Sequence, residues 1–188
     1  MAQVIEGLRR FTVEEYHRMA EAGVFGPEER VELIRGVIRQ MSPKGRNHNI
    51  AVSKGGRLFN RRLGDRAGVH VQNSLMIPGW HSEPEPDIQV TASQDLDLVG
   101  TGADCVLLLV EVADSSLAYD RTEKAALYAE AGIPEYWIVN LIDGALEVHR
   151  KPVENVYRER MKLEPGTRVS PISWPELEID IADLLPRK

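Results

Sequence analysis

Cys105-Val-Leu-Leu-Leu-Val-Glu-Val-Ala113 is an apolar run of strand length interrupted by one carboxylate, Glu111. Such a run reads as a buried strand. It follows Pro86-Asp87-Ile-Gln-Val90, which sets a second acid at the start of another strand. An ionised carboxylate inside a buried strand costs roughly several kcal/mol unless a cation or a set of donors compensates it. A divalent metal held between Asp87 and Glu111 meets that requirement.

Outward from this pair, local signals punctuate the chain. Thr12-Val-Glu-Glu15 is a capping box, with Phe11 and Tyr16 spaced as its hydrophobic staple, and predicts a helix over 13–21. Val31-Glu-Leu-Ile34 and Val37-Ile-Arg-Gln-Met41 flank Arg35-Gly36 and read as a hairpin that Ser42-Pro-Lys-Gly45 ends. From 47 to 63, Ala51, Gly55, Leu58 and Phe59 share one stripe while Lys54, Arg57 and Arg61 share the opposite side, which predicts a helix with a basic outer face. Strands are expected over 69–77, 87–91 and 106–113, with a polar loop across 94–104 and Cys105 as a small residue of a buried strand. A helix over 121–131 follows, capped by Gly132 with Pro134 just beyond. Glu135-Tyr-Trp-Ile-Val139 reads as a buried strand with Tyr136 and Trp137 in the core. Residues 145–150 and 156–163 read as an antiparallel pair, and the tail to Leu185 as a further strand or short helix. No repeat or linker intervenes, so the expectation is one α/β domain over 1–188.

Composition narrows the function classes. With 188 residues, 43% apolar and 28% charged, the chain has an ordinary globular make-up rather than a disordered or fibrous one. No run nears the ~18 apolar residues of a membrane-spanning helix, and Met1-Ala-Gln-Val-Ile-Glu6 lacks the order of a signal peptide, so a cytoplasmic protein without membrane contact is expected. A single cysteine leaves no disulfide framework or cysteine-based zinc site within the chain. The net charge of −6 argues against a non-specific coat for nucleic acid, but it hides a segregation along the chain. From Arg35 to Arg66 nine Lys or Arg face one acid, a local +8; from Glu83 to Glu123 ten acids face Arg121 alone, a local −9. A basic rim around an acidic centre suits a metal-dependent enzyme acting on a polyanion, and two solvated faces of opposite sign suit the same numbers.

Several side chains stand out. In the helix after the Glu111 strand, Lys124 shares a face with Leu127, Tyr128 and Ala131 and so points at the sheet, as a catalytic ammonium or as half of a structural Lys–Glu pair. Asp120 is a further candidate ligand, but Asp120-x-x-Glu123 also fits a capping box, which is the preferred reading. Glu83 and Glu85 read as a solvated acidic loop. His48, near the start of the basic helix, is either a phosphate contact or general base, or a packing histidine. Ser115-Ser116 has no histidine partner placed by sequence, so a serine hydrolase is disfavoured.

The succession helix, three strands, helix, strand, with Pro-Asp opening one strand and Glu inside the next, resembles the core of the PD-(D/E)xK nuclease superfamily. Glu32-Leu-Ile-Arg-Gly36, Met41-Ser-Pro43, His48, Pro86-Asp-Ile88, Glu111-Val112, Asp120 through Lys124, Tyr128 and Gly132-Ile-Pro-Glu-Tyr-Trp-Ile138 look like the Uma family of restriction-endonuclease-like proteins, over about three quarters of the chain. The resemblance implies a restriction-endonuclease-like α/β core, with an N-terminal helix and hairpin before it and C-terminal strands after it. It also implies Mg²⁺ or Mn²⁺ on Asp87 and Glu111, with Glu32 as an additional carboxylate. A standard superfamily member has Lys two residues after the Glu; here Ala113 fills that place, and Lys124 looks like the migrated lysine this family uses instead.

The function so implied is metal-dependent hydrolysis of DNA phosphodiester bonds, with Asp87, Glu111, Lys124 and Glu32 as the catalytic set and His48, Lys54, Arg57 and Arg61 meeting the nucleic acid. Hard carboxylates select Mg²⁺ or Mn²⁺ over softer metals, and Lys124 would neutralise charge on the pentavalent phosphorus. The alternative is a catalytically weak nucleic-acid-binding or regulatory protein that retains the fold, which Ala113 favours and the inward phase of Lys124 opposes. Cutting both strands of a duplex implies, by analogy, a homodimer or higher homo-oligomer.

Overall fold

Strand β5, Val106–Ala113, forms the middle of a six-stranded sheet in the computed structural model of the chain, which describes residues 7–93 and 102–187. The leader reading of residues 1–6 and the 94–101 part of the polar loop, with Asp95 and Asp97, fall outside those residues. The sheet order is β3 (Gly68–Val71), β4 (Ile88–Thr91), β5, β6 (Glu135–Asn140), β7 (Ala145–Val153) and β8 (Val156–Leu163). Among the described residues only β5 and β6 run parallel, and every other pairing is antiparallel. That one parallel pair needs a crossover, and the helix between the two strands supplies it.

Helix α1, Val13–Glu21, has the predicted capping box: the Thr12 hydroxyl accepts from Glu15 N–H at 3.2 Å and the Glu15 carboxylate accepts from Thr12 N–H at 3.1 Å. The hairpin of β1 (Val31–Ile34) and β2 (Val37–Gln40) turns through Arg35 and Gly36, both left-handed at φ 52° and 72°. Glycine is required at the second position, because a Cβ there would lie 2.6 Å from Arg10 Cβ and 2.9 Å from the Phe11 carbonyl oxygen.

Helix α2, Arg46–Leu63, covers one face of the sheet with Ala51, Val52, Gly55, Gly56, Leu58, Phe59 and Leu63 buried. Gly55 permits close approach, since a Cβ would meet Ile88 Cδ1 at 2.7 Å. Phe59 packs on Trp137, and the C-terminal residues Trp174, Leu177, Ile179, Ile181 and Leu184 complete this core. The helix on the opposite face comes in three parts: α3 (Leu117–Tyr119), a π-helical turn (Asp120–Lys124) and α4 (Ala125–Glu130). It buries Leu117, Leu127, Tyr128 and Ala129 with Leu109, Ala113, Tyr136 and Ile138. The element order α2, β3–β5, α3–α4, β6 is the helix, three strands, helix, strand of the sequence reading, and β9 (Arg168–Val169) with β10 (Ile179–Asp180) form the tail.

Four local expectations are corrected. Strand β3 stops at Val71 instead of running to 77, because Gln72 turns into the left-handed region and its N–H and side chain both go to Asp87. Cys105 lies half-buried in a 3₁₀ turn, Ala103–Cys105, ahead of the strand. The second helix begins at Leu117, whose burial draws that turn onto the core; Asp120 is therefore mid-helix and caps nothing. Glu83 lies 2.5 Å from His17 Nε2 and Glu85 is ion-paired with Arg30 and Lys44, so neither stands free in solvent.

Candidate active site

Asp87 sits one residue before β4, and the ladder pairs Ile88 with Val110, so Asp87 comes opposite Glu111 across an antiparallel pair. Opposed residues on such a pair project from the same face. That face is the one covered by α3–α4. The two carboxylates accordingly line one cleft of about 360 Å³ at the end of the sheet, with Glu32, His48, Asp120 and Lys124 also on its walls.

Each acid has its own donors. Asp87 Oδ2 accepts from Val112 N–H at 2.9 Å and lies 3.0 Å from His48 Nε2, while Oδ1 accepts from Gln72 Nε2 at 3.2 Å. Glu111 Oε1 accepts from Lys124 Nζ and from the Tyr128 hydroxyl, both at 2.8 Å, and Oε2 lies 3.4 Å from Asp87 N. Lys124 also stands 3.3 Å from Glu32 Oε2, which reaches in from the hairpin. Asp120 accepts from Ser116 Oγ at 2.6 Å. The π-helical turn closes with Ala125 N–H on the Asp120 carbonyl, five residues back, and it turns both Asp120 and Lys124 inward.

Glu32, Asp87, Glu111, Asp120 and Lys124 are each no more than 5% exposed. Three of the carboxylates, Glu32, Glu111 and Asp120, thus share one ammonium in a low-dielectric setting, while Asp87 draws on His48 and two N–H donors. Burial pushes the Glu111 carboxyl up to about 8 despite Lys124, and the charges of Asp87 and Asp120 push the same way. Asp120 is likewise raised by burial. Burial also works against ionised Asp87, but His48, Val112 N–H and Gln72 outweigh it and hold its carboxyl below the usual range. For Lys124 burial is overcome by Glu111, Glu32 and Asp120, so the ammonium keeps its proton; one cation divided among three acids is itself held firmly while leaving each acid under-compensated.

Under-compensated buried carboxylates are a donor set for a hard divalent cation. Among the described residues no three His, Cys, Asp or Glu side chains group as a metal-ligand set. Two facing carboxylates with lone pairs to spare nevertheless fit Mg²⁺, which keeps several waters and commonly takes one or two protein carboxylates.

The family model described as "Putative restriction endonuclease", Uma2, matches residues 13–182. The chain belongs to the Uma2 family. Its fold is also that of a solved structure from Anabaena variabilis described as a "putative nuclease": TM-score 0.68 at 16% identity, covering 93% of this chain and 97% of that one. A search of curated proteins gave no significant match.

Within this Uma2 protein, five of the sequence-derived site residues, Glu32, His48, Asp87, Glu111 and Lys124, meet in the cleft. Ala113 is fully buried against the helix, and Lys124 reaches Glu111 from the facing helix instead. The basic face of α2 is elsewhere. Lys54 donates to the carbonyls of Ala182 and Leu185 at 3.0 and 2.5 Å, so it fastens the C-terminal segment, whereas Arg57 and Arg61 are exposed. Sequence reasoning passed over Gln72 and Arg39 in the site and gave Asp120 to a cap. The spacing of an acid, Asp120, and a base, Lys124, four apart on one helical face was the available signal.

Proposed function

We propose that this Uma2 protein is a divalent-metal-dependent endonuclease that hydrolyses phosphodiester bonds in DNA. The observation that carries the reading is the convergence on one buried spot of Asp87 and Glu111, from facing strands, with Lys124 at 2.8 Å from Glu111. A structural ion pair alone would need one acid, and hydrophobic residues often serve as well.

Asp87 and Glu111 would hold the cation. When bound, Mg²⁺ or Mn²⁺ supplies a Lewis acid that stabilises charge on phosphorus and lowers the pKa of an attacking water. The chain's own residues do the rest. His48, Gln72 and Val112 N–H fix the Asp87 carboxylate; Tyr128 fixes Glu111. Lys124, anchored between Glu111 and Glu32, would present its positive charge to the negative charge that develops on the oxygens of the five-coordinate phosphorus, without reorganising at that moment. Arg57 and Arg61 on α2 add phosphate contacts away from the chemistry.

The test is to incubate supercoiled, linear and branched DNA with the protein and Mg²⁺ or Mn²⁺, beside Glu111→Ala prepared identically. Cleavage by wild type and none by the variant is expected. Equal cleavage by both would mean that another protein, or another site, cuts.

A further inference from the structure

We propose that Arg39 and the Tyr119 hydroxyl form the seat for a substrate phosphate on the hairpin side of the cleft. The inference rests on the nuclease reading and adds the residues that would receive the DNA next to the metal-binding pair. Arg39 lies on β2 directly across the hairpin from Glu32, so both side chains project to the same side. Glu32 turns in to Lys124; Arg39 lines the same cleft and lays its guanidinium over the Tyr119 ring, 4.2 Å from the centroid.

Two features mark this pair as made to receive something. The cations nearby are spent within the protein: Arg30 and Lys44 on Glu85, Arg35 on Glu130, Lys124 on two acids. Among the described residues Arg39 makes no ion pair, although it stands beside the most acidic part of the molecule. Its guanidinium carbon rests over the Tyr119 ring, which holds the charge in place without using its N–H groups on an acid, and a guanidinium so held is suited to bidentate recognition of a phosphate. Secondly, the Tyr119 oxygen is buried and, among the described residues, has no hydrogen-bond partner. A buried donor left unmade is a standing cost, and a site that ligands complete is one reason to keep it. A planar cation over the ring and a neutral hydroxyl donor on it match the oxygens of a phosphodiester. The exposed arginines of α2 offer no such fixed geometry.

The experiment is an anisotropy titration of a fluorescein-labelled DNA duplex, in EDTA and at several salt concentrations, on folded wild type, Arg39→Ala, Arg39→Lys and Tyr119→Phe. Arg39→Ala should weaken binding about tenfold and reduce the slope of log affinity against log salt by about 1, as loss of one phosphate contact does. Arg39→Lys should keep the slope and recover only part of the affinity. Tyr119→Phe keeps the ring and the stack; binding should fall roughly threefold or more at unchanged salt slope, with melting temperature equal to or above wild type because the orphan hydroxyl is gone. Wild-type affinity and slope in Arg39→Ala, or a lower melting temperature with unaltered binding in Tyr119→Phe, would overturn the proposal while leaving the nuclease reading in place. A wild-type protein that neither binds nor cuts DNA would overturn that reading, and this proposal with it.

Discussion

Glu111 and Asp87 differ by one feature of surroundings, and the difference sets a pH dependence. Asp87 is ionised because three donors converge on it; Glu111 keeps a proton up to about 8 because burial outweighs its share of Lys124. A metal bound at the proposed site would have to displace that proton, so Mn²⁺ affinity should climb by up to about tenfold per pH unit up to about pH 8 and level off above it. Calorimetry in buffers of different ionisation enthalpy at about pH 7 should detect close to one proton released; no release would contradict the assignment. Linkage gives the opposite sign for the metal-free fold. A carboxyl whose folded value is raised from 4.5 to about 8 contributes stability that is full below the lower value and is lost as pH rises through the higher, so the melting temperature of metal-free protein should fall across that window, and less so in Glu111→Gln. Lys124→Ala is the sharper residue-scale substitution. It should abolish turnover and spare or slightly tighten Mn²⁺ binding, because a competing cation is gone. A purely structural lysine would lower the melting temperature and leave cleavage intact at permissive temperature.

At the scale of elements, the hairpin matters most because it carries both Glu32 and Arg39 into the cleft. Its turn depends on Gly36, where φ is 72° and the Phe11 backbone closes the space a side chain would take. Gly36→Ala should therefore cost ~1–3 kcal/mol, seen as a drop of several degrees in thermal unfolding, and should raise the DNA concentration needed for half-maximal cleavage. The hairpin was legible because Arg-Gly stands between two short apolar runs, and α1 because its capping box is a local hydrogen-bond pattern. The start of the helix at Leu117 and its π-helical turn were not. Asp120-x-x-Glu123 imitates a cap, and only contact of Leu117 with the sheet decides that the helix begins earlier. The loss of regular pairing over 72–77 was equally hidden, since Gln72 turns left-handed and its side chain serves Asp87, 15 residues away.

Over the whole molecule, charge segregation was read correctly as two populations but only partly as to their use. The acids do gather in the cleft, and the parallel β5–β6 pair with its crossover helix follows from a buried strand, a helix and a second buried strand in succession. Much of the basic population does internal work that no periodicity reveals: Lys54, Arg62 and Arg66 hold the segment from Glu176 to Leu185 against α2. Two outcomes should separate accordingly. Lys54→Ala should lower stability by ~1–2 kcal/mol with a small effect on DNA binding, whereas Arg57→Ala with Arg61→Ala should leave the melting temperature unchanged and weaken binding about equally for all sequences, with a flatter salt dependence. The reverse pattern would put the DNA on another face.

The central claim, that Asp87 and Glu111 together hold the divalent cation next to Lys124, is tested most directly by the anomalous scattering of crystals soaked in Mn²⁺. One peak within about 2.3 Å of a carboxylate oxygen of each residue, absent from Asp87→Ala crystals, is the predicted result. A fully occupied peak bound elsewhere, or none at this pair at saturating Mn²⁺ above about pH 8, where the Glu111 carboxyl is ionised, would contradict it.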